Sequence, residues 1–147
     1  MNIRVKKVRE GAVLPTYGTS GAAAADLYAV CPPEGITLAP MQRALIPTGI
    51  AIELPDANYV ALVHVRSGHG IKHGLALTNG VGVVDSDYRG EIAVGLVNLS
   101  DSAYTVQNGE RIAQMRIAPA LQPSFTEVEE LSDTQRGTGG FGSTGKQ

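Results

Sequence analysis

Apolar residues in this chain come in short runs, and most runs alternate with polar residues at every second position. Ile3 and Val5, with the aliphatic stem of Lys7, alternate through the opening segment and predict a strand. Tyr59–Val65 and Ile92–Leu99 carry the strongest β-branched signal. Shorter strands are predicted at Asp26–Val30, Leu75–Thr78, Gly82–Val84, Tyr104–Val106, Arg111–Ile117 and Phe125–Val128. Ala44–Leu54 is apolar with Pro47 inside it, which predicts a single edge or bulged strand, because proline cannot donate to a ladder. Helical periodicity is nearly absent, and one helical turn is expected at Ser67–His73. About ten short strands bounded by turn residues predict an all-β sandwich or barrel.

Composition narrows the class. At 147 residues the chain has the length of one domain. A hydrophobic fraction of 43% with 18% charged residues is too apolar for a disordered polymer. Gly and Pro make up 26 of the residues, in keeping with many turns and few long helices. The net charge of −2 supplies no broad positive field, so neither nucleic acid nor an anionic membrane is an expected partner. Any bound anion must be met by a few placed arginines. Cys31 is the sole cysteine, which excludes an intrachain disulfide and cysteine-based zinc sites. The basic run Arg4, Lys6, Lys7, Arg9 has no apolar stretch behind it, so no signal peptide or membrane span is expected and a cytoplasmic location is the default.

Four groups of residues could carry chemistry. Gly82–Glu91 sets Asp85, Asp87, Glu91, Tyr88 and Arg89 after an apolar strand. It reads either as a polar β-turn or as a carboxylate placed to deprotonate water, and a carboxylate that is ionised near neutrality needs only placement for that task. Arg66-Ser67-Gly68 closes a strand and enters the helical turn, as either a plain cap or a phosphate-binding set. Gly109–Met115 opens a strand whose alternate residues face solvent. The last 17 residues hold five glycines, Arg136 and the single aromatic Phe141. They read as a solvated tail or as an arm whose amides and Arg136 close over a polyphosphate. Gly140–Lys146 resembles a phosphate-binding Walker loop, but only Gln147 follows it, and that loop needs a helix. His69 and His73 are spaced for one helical face without a third ligand, so phosphate-proximal or surface histidines are expected rather than a zinc site.

In this order the clusters resemble the five motifs of the trimeric dUTPase family: Ala24–Ala29, Arg66–Gly68, Asn79 with Gly82–Glu91, Gly109–Met115, and Arg136–Gly145. The resemblance spans essentially the whole chain. It implies a distorted jelly-roll-like β-barrel or sandwich with one short helix and an extended C-terminal arm, assembled as a homotrimer. Residues 1–130 would form the catalytic β domain, and residues 131–147 a flexible Gly-rich arm closing a neighbouring subunit's active site. The implied activity is hydrolysis of dUTP to dUMP and pyrophosphate with Mg²⁺. That reaction limits uracil in DNA and supplies dUMP for thymidylate synthesis.

Carried over by residue, Asp85 would activate the attacking water and contact the 3′-hydroxyl, and Tyr88 would exclude a 2′-hydroxyl. Asn79 and the backbone around Gly82 would read uracil. Arg66, Ser67 and Gln114 would hold phosphates, and Asp26 would sit near the metal through water. Gly68, Val84, Met115, Gly142 and Ser143 complete the implied substrate-binding set. Arg136 and Phe141 would arrive from a neighbour, clamping the γ-phosphate and stacking on the base. The chain departs from the family pattern at Ala25, Val65 and His69, the last placing a titratable ring near the implied phosphate site. Two alternatives carry different chemistry: a dCTP deaminase-like enzyme of the same fold, and a non-catalytic nucleotide-binding regulator.

Overall fold

The computed structural model describes residues 1–140. Among the described residues twelve strands and one helix follow in order: β1 Arg4–Lys7, β2 Thr16–Tyr17, β3 Ala25–Tyr28, β4 Ile36–Leu38, β5 Arg43–Pro47, β6 Ile50–Glu53, β7 Tyr59–Val65, α1 Ser67–His73, β8 Leu75–Leu77, β9 Gly82–Val84, β10 Ala93–Asn98, β11 Tyr104–Val106 and β12 Arg111–Pro119. The fold is all-β apart from α1, as the alternation predicts. β7, α1, β9 and β11 take the bounds read from the sequence.

Every strand pairing is antiparallel. The largest sheet runs β2-β3-β12-β7-β9, a second runs β5-β10-β8, and two-stranded ribbons join β1 to β6 and β11 to β4. Side chains from the inward faces meet in one core, where Leu27, Leu38, Ile46, Ile50, Leu75, Leu96 and Ile112 are fully buried. β10 shows the cause most simply: Val94, Leu96 and Asn98 alternate inward while their neighbours remain partly exposed. Asn98 can be buried because its amide is satisfied. Its Nδ2 donates to the carbonyls of Leu38 and Ser102, and its Oδ1 accepts from the amide and hydroxyl of Ser100.

Three expectations need correction. Ala44–Leu54 is not one bulged strand. Pro47 ends β5, and Gly49, at a φ of 69°, turns the chain so that β6 joins β1 in a different sheet. Phe125–Val128 forms no strand, and Phe125 is 95% exposed. Its apolar residues have no facing element among the described residues. The short strands β2 and β4 were not expected.

Past β12 the Ala120 amide donates to the Asn58 carbonyl, and the chain then runs on without regular structure, with Leu121 and Leu131 exposed. Among the described residues no helix is long and apolar enough to cross a membrane.

Candidate active site

Pairing register decides which candidate residues can meet. Thr16 is opposite Asp26, Asp26 opposite Gln114, and Gln114 opposite His64, so these side chains form one row across the large sheet. Directly opposed residues share a face. Val63, opposite Met115 and Gly82, belongs to the other face. Asp26 and Gln114 of the phosphate-type set and Gly82 and Val84 of the nucleoside-type set therefore lie on opposite faces of the same sheet.

The first cluster lines a cleft of about 320 Å³ on the Val63 face. Asn79, Gly82, Val84, Asp85 and Tyr88 all border it, joined by Glu91 and by Ile92–Gly95. β9 delivers Gly82 and Val84, and a turn closed by the Tyr88 amide on the Asp85 carbonyl brings the next residues round. Asp85 is exposed and takes part in none of the ion pairs formed among the described residues. The Tyr88 hydroxyl donates to the Glu91 carbonyl at 3.1 Å, which folds the ring back over Gly90.

Glu91 itself is pinned. Arg9 Nε donates to both of its oxygens at 2.7 and 2.9 Å, and the Gly49 amide donates at 2.8 Å. The Arg9 hydrogen bond, reinforced by the Gly49 amide and opposed by partial burial, holds the Glu91 carboxyl below the usual carboxylate range. One wall of the cleft is thereby tied to the N-terminal segment and to the β5–β6 turn.

The second cluster lines a cleft of about 300 Å³ on the opposite face, bordered by Asp26, Arg66, Ser67, Gly68 and Gln114. Asp26 is 7% exposed, and its charge is compensated on both sides. Arg66 Nε lies 2.9 Å from one oxygen, and Arg111 Nη1 donates to the other at 3.2 Å. Arg66 Nη1 also donates to the Arg111 carbonyl at 3.3 Å. Two guanidiniums around one carboxylate leave net positive charge facing the cleft, together with the Ser67 hydroxyl and the Gln114 amide. That set suits an oligophosphate.

Arg111 was not singled out from the sequence. Simple alternation puts residues 111 and 114 on opposite faces. A β-bulge between Arg111 and Ala113 shifts the register, so that Arg111 faces Tyr28 and joins the Asp26 face. A second arginine beside Gln114 was the available signal, but parity pointed it the wrong way.

The remaining expectations distribute as follows. Met115 is 6% exposed, packs in the core and borders neither cleft. Arg136 is exposed in a local turn, where its Nε donates to the Gly139 carbonyl at 2.9 Å. Phe141, Gly142 and Ser143 lie outside the described residues. His69 is corrected: it is 7% exposed, borders neither cleft, and its Nε2 donates to Glu110 Oε1 at 2.7 Å.

Among the described residues no group of three or more His, Cys, Asp and Glu side chains could cage a metal. Among the described residues Asp26 is the one carboxylate bordering the phosphate-type cleft, and both its oxygens are engaged by arginines. Such a donor set fits a hard cation held on phosphate oxygens and water, with the carboxylate at one remove. It does not fit a resident, fully protein-coordinated ion.

Known proteins resemble this chain over nearly its whole length. A sequence model of the dUTPase family matches residues 10–145. The chain is 51% identical over 145 residues to the deoxyuridine 5′-triphosphate nucleotidohydrolase of Hydrogenobaculum sp. (strain Y04AAS1), covering 99% of both chains. It is 54% identical over 139 residues to the protein of the same name from Treponema denticola, covering 95% of each. Among solved structures, the dUTPase of Staphylococcus bacteriophage 80alpha with dUPNHPP superposes with a TM-score of 0.88 at 28% identity, covering 98% of each chain. On sequence and on fold alike, this chain belongs to the dUTPase family.

Proposed function

We propose that this protein is an enzyme that hydrolyses dUTP to dUMP and pyrophosphate, with Asp85 as general base. The observation that carries the reading is the gathering of Asn79, Gly82, Asp85 and Tyr88 around one cleft, within a chain of the dUTPase family. Asn79 and the backbone at Gly82 read the base. Tyr88 lies where the sugar passes and leaves no room for a 2′-hydroxyl. Asp85, exposed at the mouth, orients a water and accepts its proton as the water oxygen bonds to the α-phosphorus. The bond from that phosphorus to the bridging oxygen breaks, and pyrophosphate leaves.

The oligophosphate lies on the second cleft, where Arg66, Arg111, Ser67 and Gln114 bind its oxygens. Mg²⁺ bound to the phosphate oxygens would neutralise further charge there, with Asp26 as its indirect neighbour. The strands themselves lie between the two clefts, so a nucleotide seated against one face does not meet the side chains of the other. In this reading the complete site forms between protomers of a homotrimer, the assembly implied by the family resemblance, one giving the nucleoside cleft and the next the phosphate cleft. Residues 131–147 act as an arm bringing Arg136, Phe141, Gly142 and Ser143 from a third protomer to the γ-phosphate and the base. The exposed apolar side chains of Leu121, Phe125 and Leu131 support this, since they are left uncovered by the described residues of a single protomer. The substrate in this reading is the free nucleotide, and the cytoplasm is the expected location.

The test is pyrophosphate release from dUTP, dCTP, dTTP and UTP, with Mg²⁺ and after EDTA. Selective, EDTA-sensitive release from dUTP is expected. Ammonia release from dCTP, or tight dUTP binding without turnover, would overturn the assignment.

A further inference from the structure

Outside both clefts, four side chains from separate parts of the chain form a cluster that the proposed chemistry does not use. His69 of α1 is buried, its ring 5.9 Å from that of Tyr104 and 6.1 Å from that of His73, centroid to centroid. His69 Nε2 and the Tyr104 hydroxyl both donate to Glu110 Oε1, and the Gln107 amide donates to Oε2 at 2.9 Å. A carboxylate can only accept, so the ring nitrogen facing it carries the proton. Burial alone would raise the Glu110 carboxyl, but the Tyr104, Gln107 and His69 hydrogen bonds outweigh it, and Glu110 stays ionised.

The importance of the cluster lies in what its members adjoin. His69 is two residues past Ser67, and Glu110 immediately precedes Arg111. The Glu110 carbonyl accepts from the Ala29 amide at 2.8 Å, fixing the end of β3, the strand that carries Asp26. The three segments supplying Arg66 and Ser67, Arg111, and Asp26 thus meet at one residue behind the cleft, Glu110, whose carboxylate holds α1 and whose carbonyl holds the end of β3. The Arg66–Asp26–Arg111 bridges then connect the same segments on the cleft side.

We propose that His69 is a positioning residue for the reaction: through Glu110 it sets the spacing between α1 and the start of β12, and so holds Arg66, Ser67 and Arg111 at the separation an oligophosphate requires. This rests on the reading of that cleft as the phosphate site. The contribution is to substrate binding and not to the proton transfer at Asp85, so it belongs in KM and leaves kcat in place.

The experiment measures kcat and KM for dUTP in the parent chain, in His69→Leu and in His69→Gln. Leucine keeps apolar bulk and removes the donor, whereas the glutamine amide can donate where Nε2 does. For His69→Leu a KM rise of about tenfold is expected, the equivalent of one charge-assisted hydrogen bond, with kcat within about twofold. His69→Gln should return KM to near the parent value. An unchanged KM in His69→Leu, an equal rise in both variants, or a fall in kcat alone would overturn the coupling. If His69→Leu does not fold, Tyr104→Phe decides in its place. It removes the second donor to the same oxygen, and a KM rise of about threefold supports the coupling while no change overturns it. A parent that does not turn over dUTP would overturn the phosphate-site reading and the coupling with it; an active parent with an indifferent His69 would overturn the coupling alone.

Discussion

The Tyr88 ring lies directly against the α-carbon of Gly90, so that a methyl group on that carbon would meet the phenolic oxygen and its ring carbon well inside contact distance. Glycine at position 90 is thus what allows the ring to fold back and donate to the Glu91 carbonyl. In Gly90→Ala the ring must swing away from its place in the nucleoside cleft. Discrimination between dUTP and UTP, measured as the ratio of kcat/KM values, should fall by about tenfold, the scale of a lost steric contact. Tyr88→Ala should lower the same ratio at least as far. An unaltered ratio in both would mean that the sugar is read elsewhere.

Asp85 is exposed at the cleft mouth, outside the ion pairs that anchor its neighbours. Asp85→Asn keeps the size of the side chain and removes its ability to take a proton. The expected result is a kcat lowered by about a thousandfold, within the usual range for a general base, with the affinity for a non-hydrolysable dUTP analogue retained. Single-turnover kinetics with a parallel binding titration separates the two quantities, and equal turnover in both proteins would remove Asp85 from the mechanism.

Arg111 shares the Asp26 carboxylate with Arg66. In Arg111→Gln the cleft loses one positive charge, and Asp26 keeps a single partner. KM for dUTP should rise by about tenfold or more, because a hydrogen bond between two ions is among the stronger polar contacts. The thermal midpoint should fall only slightly, since half of the Arg111 side chain is exposed and screened by water. A large loss of stability with unchanged KM would assign Arg111 to the fold alone.

Acid should weaken the folded protein through two carboxylates. The Arg9 hydrogen bond keeps Glu91 below its ordinary range, and the donors around Glu110 do the same despite its burial. Each folded-state value lies below the unfolded one, near about 4.3. Their stabilisation is therefore complete above that pH and is lost as pH falls through the folded-state values. Thermal midpoints recorded between neutrality and pH 3 should decline over that lower interval. Glu91→Gln should start lower at neutrality and show a shallower decline.

Much of the architecture was legible because alternation is strong where a strand has one buried face. Tyr59–Val65 declares itself in this way, and the Gly-bounded turn at Ser67–His73 separates cleanly from it. Ala44–Leu54 misled because both of its strands contribute to the core and the turn between them is itself buried: it is carried by Thr48-Gly49, and the Thr48 hydroxyl is satisfied internally by the Ile92 carbonyl. The nucleoside-side residues were readable as a group since they are close in sequence. Arg111 was not, because a one-residue bulge inverts its parity and a period-two pattern contains no sign of it. His69 was assigned to the wrong surroundings for a related reason. Proximity in sequence to Arg66 says nothing of where a ring on the next helical turn points, and its partner Glu110 is 41 residues away.

The placement of the two ligand sets on opposite sides of one sheet has a genetic consequence. On the proposed arrangement, a chain crippled at Asp85 and a chain crippled at Arg66 fail for different reasons, and each still owns the half that the other lacks. Co-refolding the two inactive proteins should yield mixed assemblies that recover part of the parent turnover, while either protein alone stays silent. Inheritance of two such alleles would then be milder than inheritance of two copies of either one.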